Sequence, residues 1–76
     1  MTYDKLNTWI INLGKTKPYR IMLKNGMGFY ELVFLYHDFH HSEKIYQNDM
    51  KDDLVCQRKI LEMCLIFEKN IKLRVF

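Results

Sequence analysis

The stretch that decides the fold is Tyr19-Arg-Ile-Met-Leu-Lys24, then Asn25-Gly26, then Met27-Gly-Phe-Tyr-Glu-Leu-Val-Phe-Leu-Tyr36. Asn-Gly supplies two residues that tolerate a positive φ angle, which both central residues of a type I′ turn require. The stretch therefore predicts two antiparallel strands joined by a two-residue turn at Asn25-Gly26. The rest of the chain must then cover the sheet that this hairpin begins.

A two-residue turn also sets the register of the hairpin. It places Ile21 opposite Tyr30 and Arg20 opposite Glu31, the second as a cross-strand ion pair that contributes roughly 0.2–1 kcal/mol. Because side chains alternate along a strand, one face of the hairpin is the more apolar and is predicted to face the core. Its members are Tyr19, Ile21, Leu23, Tyr30, Leu32 and Phe34.

Helical patterns flank the hairpin on both sides. Thr2 is the predicted N-cap of a first helix, and Gly14 is predicted to end it as a glycine just past the last turn. A second helix is predicted from about residue 50 to about residue 69, capped by Asn48 or Asp49. Cys56, Ile60, Met63 and Phe67 form one apolar line along it.

Two weaker strand patterns complete the chain. Residues 37–43 are predicted to form a strand end and a polar turn, followed by a short third strand over residues 44–47. Ile71-Lys-Leu-Arg-Val-Phe76 alternates between apolar and basic residues and is predicted to form a last strand. The predicted fold is a single α+β domain, residues 1–76, of order α-β-β-(β)-α-β. An antiparallel hairpin sheet is covered by the long helix of the C-terminal half.

This element order resembles that of a double-stranded-RNA-binding domain. Such domains dock the start of their last helix on phosphates. Here that start carries Asp49, Asp52 and Asp53. The chain is therefore not assigned to that family.

The high hydrophobic and aromatic content of the chain favours a protein that binds a partner. Of the 76 residues 49% are hydrophobic and 14% aromatic, which is generous for a body of this size. The net charge of +3 is spread along the chain and does not demand an anionic partner. No apolar run approaches the ~18–20 residues of a membrane span, and the N-terminus lacks a signal-peptide pattern, so we expect a cytoplasmic protein without a membrane partner. The sequence has no alanine and many Lys, Ile and Asn residues, which suggests an AT-rich genome such as that of a phage or mobile element.

Residues that could carry chemistry do not form a recognisable set. His37, His40 and His41 lie close in sequence, but a strand would turn His40 away from the other two. Cys56 and Cys64 are eight residues apart on the predicted helix, roughly 12 Å along its axis, too far for a disulfide. Phosphate-binding loops, nucleophile elbows and His-Glu-x-x-His motifs are absent from the sequence. We therefore expect no enzyme activity, no metal, no cofactor and no small-molecule substrate.

Two functions follow from these observations. The first is a protein-interaction or regulatory module that forms a homodimer or binds a tight partner through Ile66, Phe67 and Phe76, because residues 60–67 are apolar nearly all round the helix. The alternative is a small nucleic-acid-binding protein, with cations tracking phosphates and an aromatic ring stacking on a base. Its candidate residues are Lys15, Lys17, Tyr19, Arg20 and Lys24.

Overall fold

A computed structural model of the chain describes residues 1–75. Its elements are α1 (Tyr3–Gly14), β1 (Arg20–Asn25), β2 (Phe29–Tyr36), β3 (Phe39–Tyr46), a 3₁₀ turn (Gln47–Met50) and α2 (Asp53–Val75). The strands form one antiparallel sheet in the order β1-β2-β3. The predicted α+β class is confirmed.

Helix α1 begins where the sequence predicts. The Thr2 hydroxyl accepts a hydrogen bond from the Lys5 N–H at 3.3 Å, as an N-cap does. Leu6 and Ile10, one turn apart, are buried. The prediction for Gly14 is wrong, because Gly14 is the last helical residue and Lys15 follows it in the right-handed region.

The hairpin forms, but not in the predicted register. Lys24 lies opposite Glu31 and Arg20 lies opposite Leu35, so the predicted Arg20–Glu31 pair is wrong. The three residues 26–28 connect the strands, and the positive φ, 78°, belongs to Gly28. The type I′ turn at Asn25-Gly26 is therefore wrong as well.

Side-chain packing explains the observed register. It pairs Ile21 with Phe34 and Leu23 with Leu32 on the inner face of the sheet. The predicted register would have placed Leu23 opposite Gly28, leaving a large apolar side chain without a cross-strand neighbour. The shift is four residues, an even number, so each side chain keeps its face. The predicted core face is confirmed, since Ile21, Leu32 and Phe34 are buried.

Strand β3 is longer than predicted. It begins at Phe39, directly after a two-residue turn in which His37 adopts a φ of 54°. Residues 39–43, predicted as part of a polar turn, therefore pair with β2. Inner-face positions of β3 are Phe39, His41, Glu43 and Ile45, since they lie opposite the inner-face residues of β2.

Helix α2 differs from its prediction at both ends. It begins at Asp53, and the Asp52 carboxylate caps it by accepting hydrogen bonds from the Leu54 and Val55 N–H groups at 2.9 and 3.2 Å. It continues to Val75, so the predicted last strand over residues 71–76 is wrong for all the residues described. Phe76 lies outside the described residues.

Both helices pack on the inner face of the sheet. The buried core joins Leu6 and Ile10 of α1 to Ile60 and Phe67 of α2 across Phe34 of β2. The opposite face of the sheet meets solvent, with exposed side chains from β1 and β3. Among them are Arg20, Lys24, Ser42, Lys44 and Tyr46.

Candidate interaction surface

Three leucines form a line along the solvent side of α2. Leu54, Leu61 and Leu65 are spaced at i, i+7 and i+11, which places them within about 20° of one line on a helix. They are 72, 42 and 59% exposed. We call these three residues the leucine stripe.

The charges beside the leucine stripe are mostly positive. Arg58, Lys69 and Lys72 are exposed and lie within about 60° of it on the helix. Two acids lie near the stripe as well: Glu68, about 40° to the other side and paired with Lys17, and the exposed Glu62, about 80° round the helix. The stripe is therefore an apolar line whose unpaired neighbours are mainly cationic, with Arg58 and Lys69 on one side.

A second apolar line runs along the side of α2 that is nearer to β3. Val55, Ile66 and Leu73, at i, i+11 and i+18, lie on one line about 100° round the helix from the leucine stripe. All three are exposed. Lys59, one turn after Val55, forms a 3.0 Å ion pair with Asp49 in the 3₁₀ turn that follows β3. This side of α2 therefore faces the β3 edge of the sheet, and we call the three residues the lateral line.

Phe67, one of the three residues predicted to contact a partner, lies on the core side of α2. Phe67 is fully buried, and its ring centroid lies 5.0 Å from that of Phe34 and 5.3 Å from that of Phe39. Phe67 therefore packs within the protein, and its prediction as an interface residue is wrong. Ile66, its neighbour, is exposed, whereas Phe76 lies outside the described residues.

Glu68 connects α2 to the segment that precedes β1. The Tyr19 hydroxyl donates a hydrogen bond to Glu68 Oε2 at 2.7 Å, and the Lys17 ammonium donates to the same oxygen at 3.1 Å. The hydrogen bond from Tyr19 and the nearby Lys17 hold the pKa of Glu68 below its usual range. Burial, together with the anionic acceptor, raises the pKa of Tyr19 well above its usual value. Sequence reasoning missed Glu68, because nothing local marks a residue paired with one 49 positions away.

This cluster changes the predicted nucleic-acid site. Tyr19 is only 4% exposed, so its ring is not available to stack on a base. Lys17 is paired with Glu68, whereas Lys15, Arg20 and Lys24 are exposed. The prediction that the Tyr19 ring stacks on a base is therefore wrong.

A shallow groove of about 640 Å³ collects part of the basic segment. It lies between the end of α1 and the start of β1, and its lining includes Lys15, Lys17, Arg20 and His37. Lys24 is at the far end of β1, roughly 13 Å from Arg20 along the strand. The structure therefore brings together three of the four predicted cations and leaves out Lys24.

The histidines and cysteines do not converge. His41 Nε2 lies 2.8 Å from Glu43 Oε1 on the inner side of β3, His40 is on the other face, and His37 is in the turn. Within residues 1–75 no three His, Cys, Asp or Glu side chains are grouped so that they could hold a metal ion. Cys56 and Cys64 are free thiols, as their spacing predicts; both are buried, and burial raises the pKa of each.

Neither helix of the described chain combines the length and the apolar character needed to cross a membrane. Comparisons with protein-family models, with curated proteins and with solved structures gave no significant match.

Proposed function

We propose that this chain is a non-enzymatic protein-interaction module, and that the leucine stripe binds a partner helix with an apolar face and acidic flanks. The observation that carries the proposal is the exposure of Leu54, Leu61 and Leu65 in one line. Single exposed apolar residues are ordinary on protein surfaces, whereas several of them on one side of a helix mark a candidate interaction site.

The stripe belongs to a rigid part of the molecule. The opposite side of α2 buries Ile60, Cys64 and Phe67 in the core, and Glu68 fixes the helix to Tyr19. A partner would therefore meet side chains that are already in place, and binding would lose little conformational entropy on this side of the contact. An amphipathic helix is the natural occupant of such a line, because its own apolar residues recur at the same spacing.

The cations beside the leucine stripe favour a partner with acidic residues next to its apolar face. Arg58, Lys69 and Lys72 border the stripe, so acidic residues beside the apolar face of the partner would be complementary to them. A basic partner helix would meet like charges at the same positions. The cationic border therefore contributes specificity and association rate, while the leucines contribute affinity.

The expected affinity is modest. Full burial of a leucine side chain contributes about 1.5–3 kcal/mol, and these three are already partly buried. After the loss of translational and rotational freedom, which costs about 4 kcal/mol or more, the three leucines alone support binding of millimolar order at best, about −4 kcal/mol, to which burial of the partner's own apolar face adds.

A titration with a synthetic helical peptide tests the proposal. The probe carries leucines on one face and glutamates on both flanks, and its twin carries lysines in place of the glutamates. We expect the glutamate peptide to bind about tenfold more tightly than its twin, and the double variant Leu61→Glu/Leu65→Glu to lose that binding. Equal binding of the two peptides, or binding that the double variant retains, would contradict the proposal.

The control is Ile11→Glu. Ile11 is 51% exposed on α1, so this change also places an acid at an exposed apolar position of a helix. It should leave binding of the glutamate peptide unchanged. Circular dichroism of each variant shows whether a loss of binding comes with a loss of helix.

Nucleic-acid binding is the second candidate function. The groove that gathers Lys15, Lys17 and Arg20 is the observation that favours it. The modest net charge and the buried ring of Tyr19 make it the weaker of the two candidates. An oligonucleotide titration of variants that lack the groove cations tests it.

A further inference from the structure

We infer that a second copy of this chain pairs with β3 along its outer edge, antiparallel and centred on Ser42, so that two three-stranded sheets become one six-stranded sheet. This inference goes beyond the proposed function, whose partner is a separate helix. It uses a different surface from the leucine stripe.

Strand β3 offers a long edge. It spans eight residues and, in the described part of the chain, β2 is its only neighbouring strand. Its sequence, Phe39-His-His-Ser-Glu-Lys-Ile-Tyr46, contains neither proline nor glycine. An edge of this kind is a template for pairing with another strand.

The sequence of β3 complements itself about Ser42. An antiparallel pair centred there places Phe39 opposite Ile45 of the second copy, and His41 opposite Glu43 of the second copy. Each pairing occurs twice, and all four residues lie on the inner face of the sheet. The 2.8 Å contact between His41 and Glu43 within one chain shows that these two side chains already associate.

Neighbouring registers lack this match. A shift by two residues places His41 opposite His41 or Glu43 opposite Glu43, and moves the other polar residue against an apolar one. A shift by one residue exchanges the inner and outer faces. The inward-pointing His41 and Glu43 also discourage pairing with an unrelated strand, which would leave them without polar partners. A second copy of β3 places a glutamate opposite each histidine.

The outer face accepts the same register. There His40 lies opposite Lys44 of the second copy, in solvent, where any repulsion is screened by salt. The Lys44 ammonium sits over the ring of Phe29, 4.8 Å from its centroid, and so points away from the new edge contact.

Helix α2 completes the interface. The contacts of Phe67 with Phe34 and Phe39 place α2 over β2 and β3. Strands are about 4.8 Å apart, so a helix midway between β2 and β3 lies about 5 Å from a two-fold axis beside β3. The two α2 helices would then be antiparallel and about 10 Å apart, the spacing of packed helices. The lateral line, which faces this side, would be covered by its copy.

Cross-linking tests the register directly. In the proposed pair the two Ser42 residues are direct partners, with a Cα–Cα distance of about 4.5–5.5 Å that a disulfide can span. We expect Ser42→Cys to form a disulfide-linked dimer readily under mild oxidant. His40→Cys should not, because the two copies of residue 40 lie about 13 Å apart. Cys56 and Cys64 are buried and give little background.

A charge exchange tests the pairing in solution. Glu43→Lys places a lysine opposite His41 of the second copy, and His41→Glu places two acids opposite each other. Each variant alone should sediment as a monomer while the wild type sediments as a dimer. Mixed together they restore both complementary pairs and should form a heterodimer. A monomeric wild type, cross-linking equal at positions 40 and 42, or variants that stay homodimeric would each overturn the inference.

The two proposals fail independently. Leu61→Glu/Leu65→Glu alters the leucine stripe and should leave the dimer intact. Glu43→Lys alters the β3 edge and should leave binding of the glutamate peptide intact. Each variant should therefore lose only the property of its own surface, and a variant that keeps that property shows that the proposal for its surface is wrong.

Discussion

Tyr19 donates its phenolic hydrogen to Glu68 at 2.7 Å and thereby ties the segment before β1 to the second half of α2. Its ring also packs against Phe67 and Phe34, with centroids 5.0 and 6.2 Å away. One side chain therefore joins a long-range hydrogen bond to the aromatic centre of the core. Substitutions can separate these two contributions.

Tyr19→Phe should destabilise the protein by about 1–2 kcal/mol, because it removes a hydrogen bond to a charged acceptor and keeps the ring contacts. In a chain of this size, each kcal/mol of stability lost lowers the melting temperature by roughly 4–8 °C. Tyr3→Phe is the control, since the Tyr3 hydroxyl reaches the Leu23 carbonyl only at 3.4 Å. Thermal denaturation that shows equal losses for both variants would contradict the special role of Tyr19.

The hydrogen bond from Tyr19 to Glu68 also predicts that the free energy of unfolding depends on pH. The pKa values of Glu68 and Asp49 are lowered in the folded state, so each carboxylate stabilises the fold above its ordinary pKa and loses that contribution as the pH falls. The free energy of unfolding should therefore decrease below the usual glutamate value of 4.5. Glu68→Gln should flatten this decrease. Urea denaturation from about pH 7 to about pH 3 measures it, and an unchanged acid slope would refute the assignment.

The turn between β1 and β2 gives a prediction with an internal control. Gly28→Ala should cost about 1–2 kcal/mol, because Gly28 has a φ of 78° that an alanine adopts with strain. Gly14→Ala should instead stabilise the protein by about 0.5–1 kcal/mol, since Gly14 is helical and nothing lies within 4 Å of an added Cβ. Opposite signs in chemical denaturation would confirm the observed turn. A neutral Gly28→Ala would contradict it.

The alternation of side chains along a strand predicts which face of the sheet each residue lies on, but it does not predict the register between two strands. The Asn25-Gly26 pair indicated a two-residue turn, yet cross-strand packing of Leu23 with Leu32 favours a register four residues away. Because an even shift preserves the alternation, the core face was correct although every partner was wrong. A single turn contributes little against several buried pairs, so tertiary packing decides the register.

The C-terminal end shows the same limit for helices. Ile71-Lys-Leu-Arg-Val-Phe76 alternates like a strand, but Ile71 also lies four residues after Phe67 and seven after Cys64, so it continues the buried line of α2. Residues 70–75 contain no glycine or proline that would end the helix. Residues 71–75 fit the period of a strand and that of a helix, and they extend the helix that is already formed because extension needs no new nucleus. The exposure of Ile66 could be anticipated, whereas the burial of Phe67 depends on where the sheet lies.

Phe67 and Ile66 are adjacent and should respond very differently to substitution. Phe67→Ala removes a fully buried ring and should cost about 3–5 kcal/mol. Ile66→Ala removes an exposed side chain and should change the stability of the monomer by less than about 0.5 kcal/mol. Urea denaturation at a concentration where sedimentation shows a monomer isolates this effect from association. Comparable losses would mean that α2 is rotated relative to the described packing.

The groove cations predict a specific pattern if the protein binds nucleic acid. Lys15→Ala/Arg20→Ala should weaken binding of single- and double-stranded oligonucleotides, whereas Lys24→Ala, at the far end of β1, should have little effect. With two or three phosphates neutralised, the logarithm of the binding constant should fall with the logarithm of salt with a slope of only about −2 to −3 on duplex. Tyr19→Phe should not change the affinity, because the ring is buried and its hydroxyl is held by Glu68. Fluorescence anisotropy at low salt measures all three variants. Absence of binding, or equal effects of Lys15→Ala/Arg20→Ala and Lys24→Ala, would eliminate the groove as a nucleic-acid site and leave the two protein interfaces.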